Sequence, residues 1–330
     1  MDIFASIISG TIIFAIPLIL VALGGMFSER SGIINIALEG IMIIGALVGC
    51  LVLKSFENSG FGANNPQIAM FLAILISAIV GAVYSLLLAF AAINLKANQT
   101  IGGTALNMFA PAFAIVLTWI IQGQGQTTIL IPNWVNITPR TLGMPDSFSN
   151  GFFGTIIFKS LYLTTPIAII VLIASHIILY KTKFGLRLRA CGENPHAADS
   201  VGVNVYKFRY IGVMISGALA AIGGIAFTVA AGTGFQSSVD GYGFLALAVL
   251  IFGNWKPIKI FLASLVFAFF KTIASSAKSI PFLPSFDFIK ESRYIYLMVP
   301  YIVTLIVLAF TSKKTRAPKA EGIPYDKELR

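Results

Sequence analysis

Nine apolar segments punctuate this 330-residue chain, near residues 4–26, 32–53, 67–94, 101–122, 159–180, 207–231, 240–254, 258–276 and 294–312. Crossing about 30 Å of hydrocarbon as a helix takes about 20 residues. All but the seventh segment reach or approach that length. The seventh, 240–254, predicts a half-helix or a tilted, re-entrant element. Backbone groups in lipid have no water to bond, so the spans must be helical. The pattern predicts an all-α, polytopic transmembrane helical bundle of about 8–10 spans over residues 1–312, followed by a cytoplasmic tail at 313–330.

Composition agrees with the pattern. The chain is 57% hydrophobic and 11% charged, against about 25% charged in a soluble domain. A single core cannot absorb that much apolar surface, so the solvent is lipid. The net charge of +10 does not point to nucleic acid, because the basic residues sit in loops and the tail rather than on one folded face. Their distribution orients the chain instead. Lys181, Lys183, Arg187, Arg189, Lys207 and Arg209 flank one loop, and Lys313, Lys314, Arg316 and Lys319 begin the tail. Setting both inside brings Arg30, Lys96, Lys256 and Lys259 inside too, so 16 of the 23 basic residues are cytoplasmic and the N-terminus is external. The opening Met1-Asp2-Ile3-Phe4 lacks the positive region of a secretory signal, so the first segment is expected to remain as a span. In this topology Cys50 and Cys191 lie on opposite sides and are not expected to pair. The longest external loop is 123–158, and a cytoplasmic loop covers 181–206.

The cytoplasmic loop contains a short capped helix. Asn194 suits the N-cap, Pro195 the first helical position and Gly202 the C-terminal stop. Ala197, Ala198 and Val201 form a small apolar side at three- and four-residue spacing. A helix of about seven residues is marginal alone and must pack on something. In a membrane chain that something is most simply a soluble partner.

Polar groups inside the spans suggest a path. Glu39 lies nine residues past Arg30, and Asn107 nine past Asn98, each about 13 Å deep by helical rise. A carboxylate near the midplane is expensive and marks a pathway, pump or partner site. The competing reading is a structural acid hydrogen-bonded to a neighbouring helix. Asn35 and Asn107 join Glu39 as pathway candidates, although interhelical bonding also accounts for Asn107. Gly234–Phe244 combines helix-breaking glycines with Phe235, Asp240 and Tyr242 at the outer end of the short segment. Broken elements of this kind build transporter sites; a plain external turn is the alternative. Small residues at Gly45–Gly49, Gly102–Ala105 and Ser216–Gly224 suit close helix packing.

Enzyme motifs are missing. No Gly-Lys dipeptide occurs, which excludes a phosphate-binding Walker A loop, and His176 and His196 have no Ser or Asp partners to form a triad. Neither cysteine has metal-ligand spacing. The chain is expected to be driven from outside itself.

Two stretches resemble the ABC-transporter permeases of the branched-chain amino acid, ribose and nucleoside importer family. One is Phe27-Ser-Glu-Arg-Ser-Gly-Ile-Ile-Asn-Ile-Ala-Leu-Glu-Gly40, and the other is Arg189-Ala-Cys-Gly-Glu-Asn-Pro-His-Ala-Ala-Asp-Ser-Val-Gly202. The first is most similar to permeases of nucleoside importers. The resemblance implies an importer permease with Glu193, Asn194, Pro195, Ala197, Ala198, Val201 and Gly202 forming a coupling helix for a cytoplasmic ATP-binding subunit. It also implies a second, related permease subunit, an external substrate-binding lipoprotein and a bacterial inner-membrane location. ATP and magnesium would bind the partner, with no cofactor on this chain. A sugar or branched-chain amino acid permease is the alternative, and a proton-coupled carrier using Glu39 a more distant one. Asn98-Gln99-Thr100 departs from the Asn-Glu-Val of related permeases and removes an acid there.

Overall fold

The computed structural model describes residues 2–139, 145, 151–232, 234–276, 298–299, 301–302, 305–306 and 316–327. They bound the helices α1 (Asp2–Arg30), α2 (Leu38–Asn58), α3 (Phe61–Asn64), α4 (Pro66–Ile93), α5 (Gln99–Gln122) and α6 (Phe152–Ser160). Then follow α7 (Thr164–Lys181), α8 (Lys183–Glu193), α9 (Pro195–Ser200), α10 (Val205–Ala231), α11 (Tyr242–Phe252) and α12 (Pro257–Ser276). Among the described residues, seven helices are long and apolar enough to span a membrane: α1, α2, α4, α5, α7, α10 and α12. The chain is thus an all-α, multi-pass membrane protein.

Helix α11 has 11 residues, or about 16 Å of rise, half the hydrocarbon thickness. This is the half-helix expected at 240–254. The segment expected at 294–312 falls largely outside the described residues, as do residues 140–144 and 146–150 of the loop 123–158. One boundary differs in an instructive way. The second span begins at Leu38 rather than near 32, because residues 31–37 are not helical. There the Ile34 N–H donates to the Gln99 side chain at 2.7 Å instead of to a helix carbonyl.

Helices α1, α2 and α10 form the enclosed centre, while α5 and α7 turn most of their surface outward. The outward side chains of α5 include Met108, Phe109, Val116 and Ile120, as a lipid-facing wall requires. Small residues bring the central helices together. A Cβ on Gly45 of α2 would lie 2.4 Å from Ala221 Cα of α10, and one on Gly224 of α10 would lie 2.0 Å from the Met42 carbonyl oxygen of α2. No side chain fits either contact. The two glycine-bearing stretches therefore pack directly on one another. Ser77 of α4 joins them, its hydroxyl donating to the Gly45 carbonyl at 2.6 Å. Hydroxyls of Thr118, Thr228, Ser264 and Thr272 bond back to carbonyls four residues earlier, which satisfies them without water.

Candidate functional site

Two regions carry the polar groups singled out in the sequence. Inside the helix bundle, Glu39 stands in the first turn of α2, just after the non-helical stretch 31–37. Its carboxylate reaches across to the start of α11. Glu39 Oε1 accepts from the Gly241 N–H at 2.9 Å, and Oε2 accepts from the Gly243 N–H at 2.6 Å. The acid therefore sits where the positive ends of two helices meet, and backbone donors replace the water it lost. Gly243 permits the approach, since a Cβ there would lie 2.4 Å from Glu39 Cα.

No continuous helix joins Arg30 to Glu39, since residues 31–37 are not helical. Gly243 precedes Phe252 by nine residues, about 13 Å along α11, and just beyond, the Trp255 indole N–H donates to Glu29 near the end of α1.

The neighbours of Glu39 are mostly committed. Asn107 spends its amide on backbone, donating to the Ile36 carbonyl at 2.8 Å and accepting from the Gly40 N–H at 2.7 Å. It fastens α5 to the entry of α2, which is the interhelical role. Asn35 is fully buried and donates to the Ser216 hydroxyl at 2.8 Å. Phe235, expected as a flat face on the path, lies instead in the core, where it forms an isolated antiparallel bridge with Ile129. Apolar burial outcompetes an open position for that ring. Tyr242 is also buried, its ring centroid 4.4 Å from that of Phe227, with Lys271 Nζ 5.5 Å above its face. Of the six pathway candidates, Asp240 alone is exposed. It belongs to a loop in which Gly232, Gly234, Ser237, Asp240 and Gly241 are left-handed. Ser and Asp seldom adopt that conformation, and such strain collects at functional loops.

The region around α9 folds as its sequence requires. Asn194 Oδ1 accepts from the Ala197 N–H at 3.0 Å, and Pro195 begins α9. Gly202, at φ +82°, closes it. The Val203 N–H donates to the Ala198 carbonyl at 3.0 Å and the Gly202 N–H to the Asp199 carbonyl at 2.9 Å, the paired bonds of a Schellman stop. Glu193, Asn194, Ala197, Val201 and Gly202 face outward, Val201 being 78% exposed. Pro195 and Ala198 do not. Ala198 points inward against Cys191, Val205 and Tyr325, because its position on so short a helix is the one facing the protein. The Cys191 thiol beside it is pushed up to about 11 by burial.

Arg30 links this region to the bundle. It lies 3.7 Å from Glu193 and donates to the Trp255 carbonyl at 3.1 Å. A Cβ on Gly192 would lie 2.4 Å from the Arg30 carbonyl oxygen, so α8 and α1 touch through their backbones.

Sequence reasoning missed three groups here. Arg209, assigned to a solvated basic flank, is fully buried in α10; its place inside an apolar segment was the available signal. Glu29 is sealed against Trp255. Glu321, in the tail, faces Glu29, and burial raises its carboxyl to about 7 even though Glu29 and Arg30 pull it down.

The chain matches the family described as branched-chain amino acid transport system / permease component over residues 7–308. It is 41% identical to the guanosine ABC transporter permease protein NupQ of Bacillus subtilis, covering 100% of this chain and 99% of that protein. It is also 41% identical to the nucleoside ABC transporter permease protein NupC of Lactococcus lactis, covering 97% and 96%. A putative glucose ABC transporter permease protein, TsgC13 of Haloferax volcanii, is 28% identical over 98% of each chain. No solved structure gives a significant match. The family match runs from the first span to beyond the last described one, through both polar regions, and the chain belongs to the permease components of the branched-chain amino acid transport system family.

Proposed function

We propose that this chain is the membrane-spanning subunit of an ATP-driven importer for nucleosides in a bacterial inner membrane. The observation that carries the reading is full-length 41% identity to two permeases named for guanosine and for nucleosides. The capped, outward-facing α9 supports the ATP-driven part. In this reading an external lipoprotein delivers substrate to the loops around Asp240. Closure of a cytoplasmic ATP-binding subunit, which holds ATP and magnesium, displaces α9. A second, related permease chain completes the path, and this chain performs no chemistry of its own.

The backbone offers a route for the displacement. From Gly192 and Glu193 it reaches Arg30, and from there the stretch 31–37 leads to Glu39 and the start of α11. Glu39 then serves to keep α2 and α11 together as the cavity changes its access. A proton-carrying role is disfavoured by its two backbone donors, which hold it as an acceptor.

The test is uptake of labelled guanosine by cells with and without this chain, challenged with unlabelled nucleosides, ribose, glucose or leucine. Competition by nucleosides alone is expected. Competition by glucose instead would favour the sugar reading, to which the Haloferax relative lends support. Uphill uptake by the purified chain alone in liposomes would overturn the ATP-driven reading.

A further inference from the structure

The tail has no part in the scheme above, yet residues 316–327 are built into the coupling region. The Ala320 N–H donates to the Gly192 carbonyl at 2.8 Å, beside the start of α9. The Gly322 N–H donates to the Gly32 carbonyl at 3.1 Å. Arg209 Nη1 donates to the Ile323 carbonyl at 3.1 Å, and the Arg316 N–H donates to Asn254 Oδ1 at 3.0 Å. Asp326 pairs with Lys96 in the turn between α4 and α5. This stretch thus bonds to α8, to α10 and to the segments that follow α1, α4 and α11.

Tyr325 makes the contact that matters most. Its ring is buried, with centroids 5.1 Å from His196 of α9 and 5.4 Å from Tyr206 of α10. Together with Cys191 and Val205 it forms the floor on which Ala198 rests. Helix α9 is therefore seated partly on the tail. Outside, a recess of about 410 Å³ is lined by Asp199 of α9, by residues 202–206 and by Lys327 of the tail. Exposed Lys183, Arg187 and Lys207 stand on α8 and near the start of α10, the helices that precede and follow α9, and with Lys327 they complement an acidic rim.

We propose that α9 and the tail form one composite docking surface, and that the ATP-binding subunit closes an acidic-rimmed groove around α9 while filling the recess beside Lys327. The proposal rests on the ATP-driven reading above. It assigns Tyr325 as a positioning residue and Lys327 as a contact.

The experiment is co-purification of the ATP-binding subunit with tagged variants of the full-length chain, alongside guanosine uptake. Val201→Glu changes α9 alone. Lys327→Glu changes an exposed tail residue with no packing role. Tyr325→Ala frees the floor, whereas Tyr325→Phe keeps the ring. Expected are a loss of about tenfold in retained subunit for Val201→Glu and Tyr325→Ala, about threefold for Lys327→Glu, and none for Tyr325→Phe. Should Val201→Glu strip the subunit while Lys327→Glu and Tyr325→Ala leave it bound, the composite surface is wrong and α9 docks alone. Should Val201→Glu itself change nothing, the ATP-driven reading falls instead. If Tyr325→Ala fails to accumulate in membranes, Lys327→Glu decides the matter, since full retention there overturns the recess contact.

Discussion

The start of α11 and the knob formed by α9 solve the same problem with opposite means. Each contains a short helix whose first N–H groups need an acceptor. In α9 the acceptor is Asn194, three residues before the N–H it serves. In α11 it is Glu39, 202 residues away from the Gly241 N–H. Water can replace the first cap if it is lost, because Asn194 is exposed. At the start of α11 the Gly243 N–H is buried, and the Glu39 that serves it is 7% exposed. A charge that would be prohibitive alone in lipid becomes the more essential of the two caps.

Removing the two caps gives the largest predicted contrast. Glu39→Ala leaves two enclosed N–H groups bare, at about 1–3 kcal/mol each, and should abolish uptake. Asn194→Ala should cost about 1 kcal/mol. Thermal unfolding of the detergent-solubilised chain ranks them, and a larger shift for Asn194→Ala would break the comparison. Glu39→Gln, with one carbonyl for two donors, should fall between.

A second pair sharpens the picture at the knob. Ala198→Trp forces a large ring into the floor formed by Cys191, Val205 and Tyr325, an overpacking worth about 1–3 kcal/mol. Ala197→Trp lies on the outer face and should alter stability by under about 0.5 kcal/mol. Both should impair uptake, but only Ala198→Trp should lower the unfolding temperature. Equal shifts would mean that the two faces of α9 are not distinct.

The same contrast explains what was readable beforehand. The cap, proline and glycine of α9 act within nine residues, so their spacing alone predicts the helix and both its ends. The half-helix α11 was visible as a short apolar run. Its cap was not, because nothing local ties Glu39 to Gly243. Nor could spacing separate Ala197 from Ala198, since which side of so short a helix turns inward depends on Tyr325, far along the chain. Phe235 misled for the related reason that an aromatic beside glycines reads alike whether it lines a path or fills a core. Arg209 was read by charge and Glu29 only as part of a motif, whereas their burial depends on partners brought from the tail and from Trp255.

The tail offers a weaker, pH-dependent test. Docked, Glu321 holds its proton up to about 7, against an ordinary 4.5, because burial disfavours the carboxylate more than the hydrogen bond with Glu29 and the charge of Arg30 favour it. The sign follows from proton counting. Docking is tightest below about 4.5, weakens as pH rises from 4.5 towards 7 while the docked carboxyl alone keeps its proton, and levels off above. Hydrogen exchange at the Ala320 and Gly322 amides, corrected for its intrinsic pH dependence, should report this loosening. Glu321→Gln should flatten the profile; an unchanged slope in that variant would assign the effect to another group.

The smallest effect belongs to the pair of Lys96 and Asp326, which is partly exposed and so should contribute about 0.2–1 kcal/mol. Lys96→Asp alone places two acids together and should loosen the end of the tail, raising exchange at its last amides. Adding Asp326→Lys should restore protection, with the recovery shrinking at high salt as screening takes over. Neither change should reach the Ala320 and Gly322 amides, whose acceptors are backbone carbonyls of Gly192 and Gly32. If the single swap opened those amides as well, the tail would be held by its charged tip rather than by the backbone contacts beside α9. The cytoplasmic region would then depend on a distant partner as fully as α11 depends on Glu39, and the distinction between the two regions would disappear.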